Sequence, residues 1–149
     1  MSPEIADAAL AALRVMAGLI ILQHGLQKLF GWFGGFGGVP GATAALGTQS
    51  GYAGVLEVFG LLLALGLFTR PIAFLLAGEM AVAYFQFHFP RGPVPIVNKG
   101  ELAALLSLVF LYLAVVGGGR YSVDGLARMS REWKAGFPNG ESPTVTPDP

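Results

Sequence analysis

Four apolar runs, parted by glycine- and proline-rich breaks, restrict what this chain can fold into more than any other feature. Ala8–Phe30, Tyr52–Phe68, Pro71–Phe89 and Gly100–Val116 each come near the ~20 residues needed to cross a ~30 Å hydrocarbon core. Of the 149 residues, 54% are hydrophobic and only 12% charged, against about 25% charge in an average soluble domain. Too little polar surface remains to clothe a water-facing helical fold. The pattern predicts an all-α fold, an integral membrane four-helix bundle over residues 1–120, followed by an amphipathic surface helix over residues 121–137 and a disordered tail over residues 138–149.

The breaks define the connections. Thr69-Arg70-Pro71 is so short that the second and third helices must be antiparallel neighbours, and Pro71 suits a first helical position. Residues 31–51 are long, uncharged and glycine-rich, and Trp32, Phe33 and Phe36 suit the headgroup region. That stretch is expected to be a lid or a partly re-entrant segment or, more simply, a flexible interfacial loop. The PRGPVPIVNK connection reads as extended. Gly117–Gly119 stop the fourth helix and Ser122 can cap a new one. There Val123, Leu126, Ala127 and Trp133 share a face, with Arg128, Arg131 and Lys134 elsewhere, the pattern of a helix lying in the membrane surface; packing on a protein partner is the alternative. Small residues four apart at Ala73, Ala77 and Ala81, at Gly60 and Ala64, and at Ala103 and Ser107 allow close helix packing in lipid.

Charge and composition bound the rest. No basic residue precedes Arg14, so the first apolar run is expected to be a retained helix rather than a cleaved signal peptide. Arg70, Arg120, Arg128, Arg131 and Lys134 fall on the side of both termini, whereas the opposite loops hold Arg91 and Lys99. The positive-inside rule then puts both termini in the cytoplasm. Without cysteine there is no disulfide, thiol relay or cysteine-ligated cluster, and with zero net charge and no basic stripe no nucleic-acid partner is expected.

Ionisable groups within such helices are costly unless they pair, line a cavity or do chemistry. His24 and Lys28 stand four apart on one helix face, with Gln23 and Gln27 beside them. Counting depth at ~1.5 Å per residue gives two layers. Arg14 and Glu79 form the inner one and are expected to make a structural ion pair. His24, Lys28, Glu57, His88 and Glu101 form the outer one, which is either helix glue or a pocket for a carbonyl-bearing ligand or for proton exchange. Haem ligation by His24 and His88 is disfavoured, because their depths differ by about two helical turns, and no metal site is expected.

HGLQKLFGWFGG in the first helix, EVFGLLLALGLFTRP across the second and its turn, NKGELAALL opening the fourth and GGGRYSVDGL after it resemble the DoxX family of small four-helix bacterial membrane proteins. The resemblance runs from about Leu13 to Leu126. It implies a multi-pass protein of the bacterial inner membrane, in a family named after a membrane subunit associated with thiosulfate:quinone oxidoreductase. His24, Lys28, Glu57 and Glu101 fall in the matching motifs. Two function classes follow. One is a subunit of a quinone-linked redox complex, with a quinone headgroup hydrogen-bonded by His24 or Lys28 and protons exchanged through Glu57 or Glu101. The other is a non-catalytic anchor or assembly subunit among other membrane protein subunits. A small-solute transporter ranks third, since no broken-helix repeat is visible.

Overall fold

Pro3 opens α1 (Pro3–Phe30), with its fixed φ preset for a first helical turn and Glu4 beside the positive end of the helix. The helix stops where Gly31 turns left-handed and its N–H closes on the Gln27 carbonyl at 3.1 Å. It begins at Pro3 rather than Ala8, because the polar first turn is helical although it is not apolar. The computed structural model describes residues 2–136, and those residues contain helices and connections without a strand. The tail expected to be disordered lies outside the described residues.

The second apolar run is two helices, α2 (Gln49–Val58) and α3 (Gly60–Leu65), bent at Phe59, whose N–H bonds back to Leu56 in a tighter turn. Thr48 caps α2 through its Oγ1, which accepts from Gly51 N at 3.2 Å. α4 (Thr69–Ala83) continues into a π-helical turn at Tyr84–His88 and a 3₁₀ turn at Phe89–Arg91. The connection expected to be extended contains a helical turn, α5 (Pro95–Asn98), which Pro95 starts and the Asn98 side chain closes by accepting from Gly100 N at 2.7 Å. α6 (Glu101–Val116) and α7 (Val123–Gly136) complete the described chain.

α1 packs along α2 and α3, α4 packs along α6, and α2 and α3 lean on α4. Ile21, Leu63, Leu76, Phe110 and Leu113 meet at the centre and are essentially inaccessible. The first pair approaches closely because both sides lack side chains at the crossing. A Cβ on Gly18 would sit 2.6 Å from the Gly60 carbonyl oxygen, and one on Gly25 would sit 2.8 Å from the Val58 nitrogen. Gly18 and Gly25 extend the small-residue pattern onto α1, where the sequence reading had not looked for it.

Two helical stretches, Pro3–Phe30 and Thr69–Arg91, are long and apolar enough to cross a membrane; Gln49–Leu65 and Glu101–Val116 are shorter apolar helices. The outer faces of the helices carry Phe74, Phe85, Leu105, Leu108 and Val115, all exposed. An apolar exterior of this extent suits hydrocarbon, not water.

Candidate functional site

Lys28, on the last turn of α1, reaches Glu57 on α2, and its Nζ donates to Glu57 Oε1 at 2.5 Å. Glu57 is 1% exposed, so this is a buried ion pair on one side and a partly open lysine on the other. The Glu79 carboxyl, from α4, interacts with the Glu57 carboxyl. One ammonium therefore stands against two carboxyls, and one oxygen of each, Glu57 Oε2 and Glu79 Oε2, is buried without a hydrogen-bond partner.

The three residues meet because they are at one level. Glu57 lies eight residues before the end of α3 at Leu65, and Glu79 lies ten residues after the start of α4 at Thr69. At ~1.5 Å per residue both stand roughly 12–15 Å from the turn the two helices share.

Lys28 and Glu79 line a cavity of about 970 Å³ between α2, α4 and α6. Its walls are otherwise mostly apolar, with Leu56, Phe74, Val82 and Leu111 among them, and its polar groups include Gln49, Ser50, His88 and Ser107. Gln49 and Gln86 hydrogen-bond through their side-chain amides and tie α2 to the π-helical turn. The same turn stacks His88 on Tyr84, with 6.5 Å between ring centroids, and sets His88 Nδ1 3.1 Å from the Asn98 carbonyl. A carbonyl only accepts, so Nδ1 is the donor and, in the neutral ring, Nε2 is left as an acceptor.

Residues 31–48 fold back over the end of α1 and do not hang free. The Ala44 N–H bonds to the Lys28 carbonyl at 2.7 Å, and Phe36 reaches the cavity wall, while Trp32 and Phe33 stay exposed.

The other residues singled out from the sequence are elsewhere. His24 is half-buried one turn before Lys28 and does not line the cavity. Glu101 is exposed at the first turn of α6, apart from the Lys28 cluster. The expected pair of Arg14 with Glu79 is not formed. Arg14, 2% exposed, donates to the carbonyl oxygens of Leu63 (2.9 Å), Ala64 and Tyr121 (2.7 Å). Arg14 stands level with Leu63 and Ala64 beside the α3–α4 turn, whereas Glu79 lies ten residues beyond that turn; Glu57 had been counted from the outer surface and not from the turn it shares with Glu79. Glu79 is the site residue that the sequence reading assigned to the wrong layer.

A family model described as DoxX matches residues 9–89 of the chain. An uncharacterized protein of Haemophilus influenzae is 42% identical over 120 residues, which cover 77% of this chain and 87% of that protein. No solved structure matches the chain.

Proposed function

This chain belongs to the DoxX family and is a membrane protein, and from that premise we propose that it is a ligand-binding subunit of a quinone-linked redox complex in the bacterial inner membrane. The Lys28–Glu57–Glu79 cluster is its polar site. The single observation that carries the reading is a partly open ammonium, paired with a buried carboxylate, and a second carboxyl on the wall of a large, mostly apolar cavity reached from the helix exterior. An isoprenoid or alkyl quinone needs that combination: apolar room for ring and tail, and a few placed polar groups for its carbonyls.

The residues present fit such a group. Lys28 has three N–H donors and gives one to Glu57, so two remain for a carbonyl oxygen. Nε2 of His88 accepts from a hydroxyl. Glu57 and Glu79 together carry one carboxyl more than Lys28 balances, and a proton held between them restores neutrality in a buried site. A bound quinone would supply two-electron, two-proton redox chemistry. The chain's own residues hold its oxygens, exclude water and keep a proton at the Glu79 carboxyl.

In this reading Pro3–Phe30, Gln49–Leu65, Thr69–Arg91 and Glu101–Val116 form a four-helix membrane bundle with both termini in the cytoplasm, and α7 lies at the membrane surface. Leu46 is strongly exposed. A cysteine put there, in a chain with no cysteine of its own, labels with an impermeant thiol reagent in intact cells; labelling only after lysis reverses the orientation.

The site is tested with a photoreactive azidoquinone on the detergent-purified protein. Label is expected on peptides from α2 and α4, competed by decylubiquinone and lost when Ala81 on the cavity wall is replaced by Trp. Label that neither competitor nor Ala81→Trp removes rejects the quinone site and leaves the anchor or assembly subunit as the better reading.

A further inference from the structure

At the opposite end of the helices from His88, a second cavity of about 480 Å³ lies between the start of α4, the Gly117–Gly119 turn and α7. Three arginines line it: Arg70 from α4, and Arg128 and Arg131 from α7. The one carboxylate in its lining, Asp124, is already engaged, accepting from the N–H groups of Phe68 (3.0 Å) and Thr69 (2.8 Å). Among the described residues none of the three arginines is in a salt bridge. Arg131 Nε bonds to the Ala127 carbonyl at 3.2 Å, which leaves its terminal nitrogens available.

We infer that this cavity binds the phosphate of an anionic phospholipid. Arginine is suited to the task, because its planar fork pairs with two phosphate oxygens at once and is less costly to desolvate than an ammonium. The chain arranges the convergence. Ser122 caps α7 through Gly125 N at 2.9 Å, and Asp124 pins the first turn of α7 to the start of α4. Arg128 and Arg131, about one turn apart, then stand on the same face as Asp124, toward Arg70.

The rim selects a lipid over free phosphate. Phe68 and Val116 line the cavity and are themselves exposed, and within about a turn of Val116 the outer face of α6 carries exposed Tyr112 and Val115. A phosphate seated among the arginines thus has apolar surface beside it for the acyl chains. Free phosphate would use the arginines and leave that surface bare. The site is separate from the Lys28–Glu57–Glu79 cavity and does not depend on a quinone binding there.

Native mass spectrometry of the intact chain from detergent, titrated with phosphatidylglycerol and, separately, with phosphatidylcholine, tests the inference. Phosphatidylglycerol should bind at least tenfold more tightly. Arg128→Gln with Arg131→Gln should weaken it by about fivefold per arginine removed, while the lysine replacements keep most of the affinity. Because the double glutamine variant could unseat α7, the exposed Arg70→Gln is read beside it and should lose about fivefold on its own. Equal affinity for the two lipids, or no loss in any glutamine variant, overturns the assignment. Displacement of phosphatidylglycerol by millimolar inorganic phosphate overturns the lipid as occupant and leaves a free-anion site.

Discussion

Lys28 on α1 and Glu57 on α2 are joined across 2.5 Å, with the carboxylate almost wholly enclosed and the ammonium partly open to the cavity. The pair clamps the end of α1 to the middle of the second apolar run, and Glu79 brings α4 to the same point. Burying two charges is favourable only while each has the other. Lys28→Met should therefore cost about 3–5 kcal/mol, the usual penalty for stranding a buried charge. Lys28→Met combined with Glu57→Met should recover a substantial part of that loss. Thermal unfolding in a mild detergent of both single variants and the double measures this, and losses that simply add would show that the pair is not a coupled unit.

Arg14 and Glu79 give the opposite expectation. Arg14 holds the end of α3 and the start of α7 together through three backbone carbonyls, and no acidic group donates or accepts among those contacts. Arg14→Ala removes the donors to the part-buried Ala64 and Tyr121 carbonyls, while the Leu63 carbonyl keeps its bond from Gly66 N, so a loss of about 1–3 kcal/mol in all is expected. Glu79→Ala acts on the Glu57 side. With no shared partner, the two losses should add to within ~0.5 kcal/mol. A double variant clearly more stable than the sum would restore the ion pair expected from depth alone.

Asp124 predicts the acid limb of the stability curve. Burial raises its pKa, but the N–H groups of Thr69 and Phe68 and the nearby charge of Arg14 outweigh that, and the carboxyl is held below its ordinary value of 3.8. A folded pKa lower than the unfolded one means that the contribution is complete above about 4 and is lost as the pH falls through the folded pKa. Melting temperatures measured from pH 6 to pH 3 should drop at the acid end in the wild type. Asp124→Asn should lower stability at pH 6 and flatten that drop. An unchanged acid limb would mean that this carboxyl does not anchor α7.

The helical character of the chain and its four apolar stretches were legible from run length and from Gly and Pro punctuation, signals that are local. The meeting of Lys28 with Glu57 was open to sequence reasoning too, since both fall in the same outer layer. What misled was depth counted as if the helix ends were level with one another. Arg14 lies eleven residues after Pro3 yet stands level with Leu63 and Ala64 at the α3–α4 turn, and a bend at Phe59 divides a run that hydropathy reads as continuous. Counting outward from the short turn before Thr69, whose position is fixed by the chain, puts Glu57 and Glu79 side by side. The roles of Gly18, Gly25 and the Ala44 bond to Lys28 depend on which helices are neighbours, and no single stretch of sequence records that.

Glu79→Gln separates a proton-handling site from mere helix glue. The amide keeps the size of the carboxyl and one acceptor oxygen, yet it cannot release a proton or carry the charge. Since Lys28 pairs with Glu57 and not with Glu79, the variant should fold, assemble and keep its melting temperature within a few degrees. His24→Gln, off the cavity wall, serves as the control. In a redox subunit, quinone-dependent electron transfer by the native complex should fall tenfold or more in Glu79→Gln, within the ~10²–10⁴ that a positioned acid or base contributes. The His24→Gln complex should stay close to wild type. Decylubiquinone binding should persist in Glu79→Gln, because Lys28 still faces the carbonyl, so the loss would sit in turnover rather than in affinity. Wild-type turnover in a well-assembled Glu79→Gln complex would remove the proton role from this carboxyl and return the cluster to structure.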